Sequence, residues 1–434
     1  MQEIPTKVLE TLKMLAGNGE YENLLSFAAG QLPLYPQSSE LFFYQAEALR
    51  NLERLDEALQ SYQDAILMDP NNALARSGYA LVHYEKGNVV EALTAADSAI
   101  LLEPEFPDPY LTAADILENI GFPEQAVFPY ERAYKMIPDN YALGRHTANL
   151  FALSEEVNDC LDLLFSMLER FPNSQRLHLQ TGISMLYLLS AGAKRKDLEE
   201  YVRIWQGNFP KNRIAHQIGD AVRFNDIHFD VFTPDNLMEY FDEEEQDLTD
   251  ENTVVPLVIE KLEELYPSNS GISVLELGCK DGAYGKIFRQ YANLGQLVAV
   301  DISRKMLDRA YDKRIYDKVY NADFISYLSQ NNNEQYDLVF SSGALSYNKN
   351  LNQSFELIHQ VLKNDGKFVF IIRHNEINND DSVTLPSFEC LYNKNYISSA
   401  LKKAGFDIKS IEDISEKIEW NQENRLFLYT AVKK

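Results

Sequence analysis

The sequence has few cysteines, few basic residues and no long apolar run. Its 434 residues include three cysteines, Cys160, Cys279 and Cys390, an odd and widely spaced set that predicts reduced thiols and no metal centre. Lysine and arginine number 40 against 66 acidic residues, and this net charge of −26 disfavours nucleic acid as a partner. A membrane span would need a run of about 18 apolar residues, and residues 1–5 lack the basic start of a secretory signal. We therefore expect a cytoplasmic protein without a membrane span.

Prolines at a constant spacing mark the first half of the chain. They follow one another at 34-residue steps, the length of the helix–turn–helix tetratricopeptide unit: Pro36, Pro70, Pro104, Pro138 and Pro172. Small residues keep the same frame and would let paired helices approach closely: Ala46, Ala80 and Ala114, then Ala58, Ala92 and Ala126. This half resembles the tetratricopeptide repeat family, most specifically over residues 39–140. The next proline, Pro210, comes 38 residues after Pro172, which predicts an insertion at residues 191–196.

A helical solenoid of this kind offers a concave groove to a partner and carries no catalytic chemistry of its own. In the family, outward positions of each first helix line the groove. The resemblance assigns the lining to Glu40, Phe43, Glu47, Tyr84, Asp108, Asp115 and Glu118. Acidic residues with aromatic residues between them would suit a basic, partly apolar peptide. The alternative is that these residues are solvated helix faces of an acidic protein.

The last half alternates short apolar runs with helical patterns. Five strands, each followed by a helix, and two closing strands are predicted at residues 274–277, 296–301, 318–323, 336–342, 367–372, 406–411 and 425–432. This alternation predicts a doubly wound, mainly parallel seven-stranded sheet of the Rossmann-like type. The loop from Gly278 to Gly282 follows the first strand, and glycines are needed where a ligand approaches the backbone closely.

Five motifs in order resemble those of class I S-adenosylmethionine-dependent methyltransferases, over residues 236–434. They lie at residues 274–282, 298–307, 321–324, 336–343 and 362–370. A subgroup that joins tetratricopeptide repeats to such a domain has a phenylalanine–aspartate pair and a proline before it, and Phe241-Asp242 and Pro256 are similar. Lys280 departs from the family because it replaces the middle glycine of the loop. A dinucleotide enzyme needs that glycine at its pyrophosphate, so the departure argues against NAD more than against S-adenosylmethionine, which has no phosphate.

The resemblance implies S-adenosylmethionine as the cofactor and assigns residues to each part of it. Asp301 would accept hydrogen bonds from the ribose hydroxyls, and Asp323 from the adenine amino group. Apolar walls of the adenine site would be Ile302, Met306 and Phe324. The methionine portion would be held by Glu276, Gly278, Cys279 and Gly282, and Ser341 would lie near the sulfonium.

Methyl transfer mainly requires that donor and acceptor be positioned, and a base is needed only where the acceptor must lose a proton. Candidate bases on loops after strands are Tyr347 and His374, with Glu376 and Tyr392, none of them in a diagnostic motif. We expect a methyltransferase that acts on a protein or peptide recruited by the groove. One alternative is a methyltransferase of a small molecule or glycan, with the repeats as a scaffold. Another is an interaction protein whose methyltransferase fold no longer catalyses.

Three regions are predicted. Residues 1–215 would form the helical repeat domain, and residues 216–256 a linker with an acidic lead-in, because the 34-residue period disappears there and a run of acidic residues follows. Residues 257–434 would form the methyltransferase domain.

Overall fold

The computed structural model describes residues 4–226, 229–242, 251–266, 271–291, 294–331, 334–375, 380–415 and 425–434. Contacts divide the chain into two compact units, residues 1–150 and 151–434. None of the described helices is long and apolar enough to cross a membrane. All three cysteines are buried and unpaired with one another.

The first eight helices of the first unit pack in sequential pairs, and the ninth crosses the limit of the unit at residue 150. They are α1 (Thr6–Gly17), α2 (Tyr21–Gln31), α3 (Ser39–Asn51), α4 (Leu55–Met68), α5 (Ala73–Glu85), α6 (Val89–Leu102), α7 (Pro107–Asn119), α8 (Pro123–Met136) and α9 (Tyr141–Leu153). The recurring alanines of the sequence pattern, such as Ala46, Ala58 and Ala80, are fully buried between them. The predicted repeat of paired helices is therefore confirmed.

A helix N-cap position also recurs with the repeat period. Two positions after five of the six prolines, a serine or asparagine side chain accepts a hydrogen bond from a backbone N–H in the first turn, which satisfies a donor that has no partner within the helix. These caps are Ser38, Asn72, Asn140, Ser174 and Asn212. Phe106 occupies the equivalent place before α7, where Pro107 fills the first helical position instead. The frame thus specifies where helices begin as well as where they end.

Packing between successive repeats explains one glycine. A Cβ on Gly78 of α5 would lie 2.3 Å from the ring of Tyr62 on α4, so only glycine fits beside that tyrosine. One repeat further along, Ala96 takes the place of the tyrosine and Thr112 that of the glycine. A large side chain on one helix is therefore matched by a small one on the next.

The second unit begins with further helices and ends with the sheet. Its helices are α10 (Val157–Arg170), α11 (Gln175–Ser190), α12 (Arg195–Asn208), α13 (Arg213–Phe224), α14 (Pro234–Asp242), α15 (Glu251–Leu265), α16 (Ala283–Tyr291), α17 (Arg304–Asp312), α18 (Phe324–Gln330), α19 (Leu351–Val361) and α20 (Lys394–Lys403). Its strands are β1 (Ile272–Leu277), β2 (Leu294–Asp301), β3 (Lys318–Asn321), β4 (Tyr336–Ser341), β5 (Leu362–Arg373), β6 (Ser382–Thr384), β7 (Cys390–Tyr392), β8 (Phe406–Asp413) and β9 (Leu426–Lys433).

Seven strands form one sheet in the order β3-β2-β1-β4-β5-β9-β8. Neighbours from β3 to β5 are parallel, and β9 runs antiparallel to both β5 and β8. The predicted doubly wound, mainly parallel seven-stranded sheet is confirmed. Its chain order reverses between β1 and β4, and a crevice opens at such a point beyond the carboxyl ends of the strands. The remaining strands, β6 and β7, pair with each other in a separate two-stranded sheet.

Local details differ from the sequence predictions. The insertion predicted at residues 191–196 is mostly a longer helix, because α11 has 16 residues where α9 has 13. The predicted limits at residues 215 and 256 fall inside α13 and α15, so a division at either point would cut a helix. The linker contains α14, and most of its acidic run, residues 243–250, lies outside the described residues.

Candidate cofactor site

The loop after β1 holds a backbone conformation that glycine adopts easily. Gly278, Lys280 and Gly282 have φ angles of 76°, 48° and 89°. A Cβ on Gly278 would lie 2.8 Å from the Cβ of Ala344, in the turn after β4, so the two loops meet with no room for a side chain. Lys280 takes the left-handed conformation of the glycine that it replaces. The crevice therefore keeps the shape of a glycine loop despite the substitution.

Asp301 ties this loop to the end of β2. One carboxylate oxygen accepts a hydrogen bond from the backbone N–H of Lys280 and the other from that of Ser303, both at 2.8 Å. The residue is only 8% exposed. Burial raises the pKa of Asp301 to about 6, although the two backbone donors favour the ionised form. Each carboxylate oxygen can accept a further hydrogen bond, so a diol remains a suitable ligand for Asp301.

Glu276, on β1, is 1% exposed and accepts a hydrogen bond of 2.8 Å from the hydroxyl of Tyr316. Burial and the neighbouring Glu276 raise the pKa of Tyr316 far above its usual value. A Cβ on Gly285 would meet this tyrosine at 2.3 Å, so Gly285 makes room for its ring. Sequence reasoning missed Tyr316. The signal that could have indicated a large neighbouring side chain was Gly285, in the first helical turn after the loop.

Cys279 was predicted to contact the cofactor, but its side chain packs into the protein interior. The thiol is buried with Ala299, Leu307 and Ala310 in an apolar cluster. Burial raises the pKa of Cys279 well above its usual value. Only the backbone of this residue is placed to shape the loop.

A pocket of about 120 Å³ lies beyond the ends of β2 and β3. Its lining combines the end of β2 with the segment after β3 and with α14: Ile302, Asn321, Ala322, Asp323, Pro234, Asp235 and Met238. Ile302 and Asp323 were predicted for the adenine side, whereas Met306 and Phe324 are not among the lining residues. Both carboxylate oxygens of Asp323 also cap α18, accepting from the N–H groups of residues 325 and 326 at 3.0 and 2.9 Å.

Ser341 ends β4 and is fully buried. Its hydroxyl has no hydrogen-bond partner among the described residues. An unsatisfied buried hydroxyl costs about 1–3 kcal/mol, so a ligand group that hydrogen-bonds to it would bind favourably. The place of Ser341 near the reacting end of the cofactor stays a prediction.

Tyr347 lies at the mouth of β4, in a 3-10 turn of residues 344–347. Its ring meets that of Phe241 edge-on at 4.8 Å, and its hydroxyl lies 3.4 Å from Glu389. Tyr392 holds this turn, with its hydroxyl 2.6 Å from the carbonyl oxygens of residues 345 and 348. Tyr347 is therefore partly accessible at the crevice, whereas Tyr392 is a buried support.

His374 does not fit the role of an accessible base. It is 3% exposed and stacks on Phe427 at 3.6 Å, and its Nε2 lies 2.7 Å from the hydroxyl of Tyr429. Burial lowers the pKa of His374 to about 4, so the ring is neutral near pH 7. Its position between β5 and β9 makes it part of the core. Glu376 lies outside the described residues.

The acidic residues assigned to the repeat groove are largely engaged within the repeats. Tyr62 donates to Glu47, and the hydroxyl of Tyr130 lies 2.6 Å from Asp115 and 3.0 Å from Glu118. Burial raises the pKa of Asp115. Further contacts are Ser38 to Glu40 at 3.0 Å and His146 to Glu118 at 2.8 Å. Sequence alone did not show the bonds from Tyr62, Tyr130 and His146, because these donors lie on neighbouring helices.

Comparison with known families matches one segment in each half of the chain. Residues 275–368 match the model of the methyltransferase domain, and residues 43–108 match that of the tetratricopeptide repeat. The chain joins tetratricopeptide repeats to a methyltransferase domain. Both predicted resemblances are therefore confirmed.

Individual relatives cover parts of the chain. Two curated relatives, BBSome complex member BBS4 of Bos taurus and of Mus musculus, are each 31% identical over 74 residues, which are 17% of this chain and 14% of theirs. The match thus spans a small part of those proteins.

Solved structures similar to this chain include an S-adenosylmethionine-dependent methyltransferase from Mesorhizobium loti. It is 20% identical, with a TM-score of 0.32, over 40% of this chain and 96% of that one. Phosphoethanolamine N-methyltransferase 2 of Haemonchus contortus is 21% identical, with a TM-score of 0.34, over 41% and 51%. Magnesium protoporphyrin IX methyltransferase of Synechocystis PCC 6803 is 15% identical, with a TM-score of 0.36, over 46% and 99%.

Proposed function

We propose that this protein transfers a methyl group from S-adenosylmethionine to a protein or peptide that its repeats recruit. The observation that carries the catalytic part is the crevice at the ends of β1, β2 and β4. There the glycine-shaped loop, the buried carboxylate of Asp301 and the pocket at Ile302 and Asp323 lie in one place.

The chemistry of these groups suits each part of the cofactor. Asp301 offers carboxylate lone pairs to a ribose diol, and the pocket of about 120 Å³ offers an apolar wall and a carboxylate to an adenine. The close approach of Gly278 to Ala344 leaves backbone without side chains where the methionine portion would lie. The buried hydroxyl of Ser341 would be satisfied by a polar group of the ligand.

The reaction requires little from the protein beyond positioning. When bound, S-adenosylmethionine would supply the methyl group on its positively charged sulfur to a lone pair of the acceptor atom, and the electrons of the broken carbon–sulfur bond would stay on the sulfur of S-adenosylhomocysteine. An acceptor that carries a proton releases it to solvent or to a nearby group, and Tyr347 is the partly accessible candidate at the mouth. Holding the two reactants in line supplies most of the rate enhancement.

Recruitment by the repeats is proposed from their architecture, because solenoids of this type present extended surfaces to partners. Two of the assigned acidic residues, Glu40 on α3 and Asp108 on α7, lie on first helices of their pairs. The high acidity of the chain favours a basic partner, since complementary charge speeds encounter. This charge preference is weaker than composition suggests, because several groove carboxylates are already hydrogen-bonded within the repeats.

Incubation of the full chain and cell extract with isotopically labelled S-adenosylmethionine tests the proposal. Label that appears in proteins supports it, and label confined to metabolites favours the small-molecule alternative. No label above that of the extract alone favours the alternative in which the fold no longer catalyses.

A charge-reversal pair then tests recruitment. Glu40→Lys with Asp108→Lys should raise the KM for a labelled protein substrate and leave S-adenosylhomocysteine binding unchanged. The control is Glu91→Lys with Asp97→Lys, two exposed residues on the second helix α6, which gives the same net charge. Equal effects of both pairs would show that overall charge matters and that the groove does not.

A further inference from the structure

Helix α14 is too short to hold its own position. It has nine residues, and isolated helices shorter than about 12 residues are marginal in water. Its place must therefore come from contacts with other elements. Two sets of these contacts have different roles, and Tyr240 also packs against Phe388 at 4.5 Å.

One side of α14 belongs to the cofactor site. Pro234, Asp235 and Met238 line the pocket together with Ile302 and Asp323. At the end of the helix, the hydroxyl of Ser303 donates to Asp242 at 2.9 Å, and Ser303 is the residue whose backbone N–H binds Asp301. Displacement of α14 would thus remove a wall of the pocket and a contact beside Asp301.

The other side of α14 is held by two arginines of the preceding helices. Arg213, the first residue of α13, donates to Asn236 at 2.8 Å and to Glu239 at 3.4 Å. Arg176 of α11 lies 4.5 Å from the ring centre of Tyr240, with a hydrogen bond of 3.3 Å to its hydroxyl. Cations above aromatic rings and hydrogen bonds from charged donors both stabilise such a position.

The bond to Asn236 lies in a buried setting. Asn236 is 3% exposed, and its amide nitrogen also donates to the carbonyl oxygen of Val231 at 2.9 Å. This asparagine therefore fixes both the start of α14 and the segment before it. Without Arg213, its side-chain oxygen would lose a charged partner in a site with little access to water.

We propose that Arg213 and Arg176 are positioning residues for the cofactor: they hold α14 against the pocket and so couple the helices α11–α13 to cofactor affinity. A partner that binds these helices and shifts either arginine would change the fraction of molecules in which α14 closes the pocket. Apparent affinity falls in proportion to that fraction, and the coupling is reciprocal. The inference rests on the proposed function, because it requires S-adenosylmethionine or its product in this pocket.

The test compares two arginines of the same helix in the full chain. Arg213→Ala should raise the Kd for S-adenosylhomocysteine, measured by calorimetry, by about three- to tenfold. Arg223→Ala is the control, because Arg223 also lies on α13 but pairs with Asp220 at 3.0 Å. The two side chains are matched in exposure, at 42% for Arg223 and 41% for Arg213. Hydrogen exchange of residues 234–242 without ligand should be faster in the Arg213 variant alone. Arg213→Lys should restore part of the affinity.

Each outcome decides between the two proposals. If the wild-type chain binds S-adenosylhomocysteine and both alanine variants bind it equally well, the inference is wrong and the proposed function stands. If the wild-type chain does not bind the ligand, both are wrong. Should Arg213→Ala fail to fold, Glu239→Ala removes one acceptor of Arg213 and leaves the buried Asn236 in place. If the Kd is unchanged in both Glu239→Ala and Arg213→Lys, the inference is wrong.

Discussion

Binding of S-adenosylhomocysteine should weaken as the pH falls through 6, because of Asp301. Burial raises the pKa of this carboxyl to about 6, so it is ionised at pH 7.5 and mostly protonated at pH 5. Hydroxyl groups of a ribose donate to the ionised form, because both oxygens of a carboxylate accept hydrogen bonds and neither carries a proton. The ligand therefore selects the ionised carboxylate, and its apparent affinity follows the ionised fraction.

The size of the effect follows from that pKa. One pH unit below the pKa, about one molecule in eleven is ionised, so the Kd at pH 5 should be about tenfold higher than at pH 7.5. This difference corresponds to about 1.4 kcal/mol of binding free energy. The preference of the ligand for the ionised carboxylate fixes the sign, and the pKa fixes the pH range: affinity is complete above the pKa of Asp301 and is lost as protons bind below it.

Calorimetric titrations from pH 5 to pH 8 measure this dependence, with Asp301→Asn as the control. The variant should bind more weakly at pH 7.5, because one of the N–H groups of Lys280 and Ser303 loses its acceptor, but its Kd should change little between pH 5 and 7.5. Titration of the ligand itself affects both proteins alike and cancels in the comparison. An equal pH dependence in the two proteins would refute the assignment of Asp301 to the ribose.

Two glycines test the close approaches described above. Gly278→Ala should lower the free energy of unfolding by about 1–3 kcal/mol, measured by urea titration, and weaken S-adenosylhomocysteine binding, measured by calorimetry. Gly343→Ala is the control and should do neither, because no atom lies within 4 Å of its added Cβ. Gly78→Ala should destabilise the repeats by about 1–3 kcal/mol, because the new methyl group meets the ring of Tyr62 at 2.3 Å. Adding Tyr62→Ala should recover part of that loss in urea titrations, and a strictly additive double variant would contradict the packing argument.

The sequence by itself determined the type and order of the elements. A 34-residue period of prolines and alanines predicted paired helices, because helix ends and close helix contacts depend on residues at fixed local spacing. Alternating apolar runs and helical patterns predicted the seven-stranded sheet, and the glycines around Lys280 marked the loop after β1. In each case the information lies within a few residues of chain, where local backbone preferences act.

Tertiary structure alone decided which side chains face the crevice. Cys279 follows a glycine of the loop but turns into an apolar cluster, and His374 follows β5 but stacks within the core on Phe427. Neither direction can be read from neighbouring residues, since it depends on strands and helices that are distant in the chain. For the same reason, the sequence did not predict that α14 forms a wall of the pocket. Met238 of α14 lines the pocket and Arg213 of α13 binds α14, and no local pattern connects these elements. Local spacing specifies which elements form, and the contacts between distant elements specify what each side chain can bind.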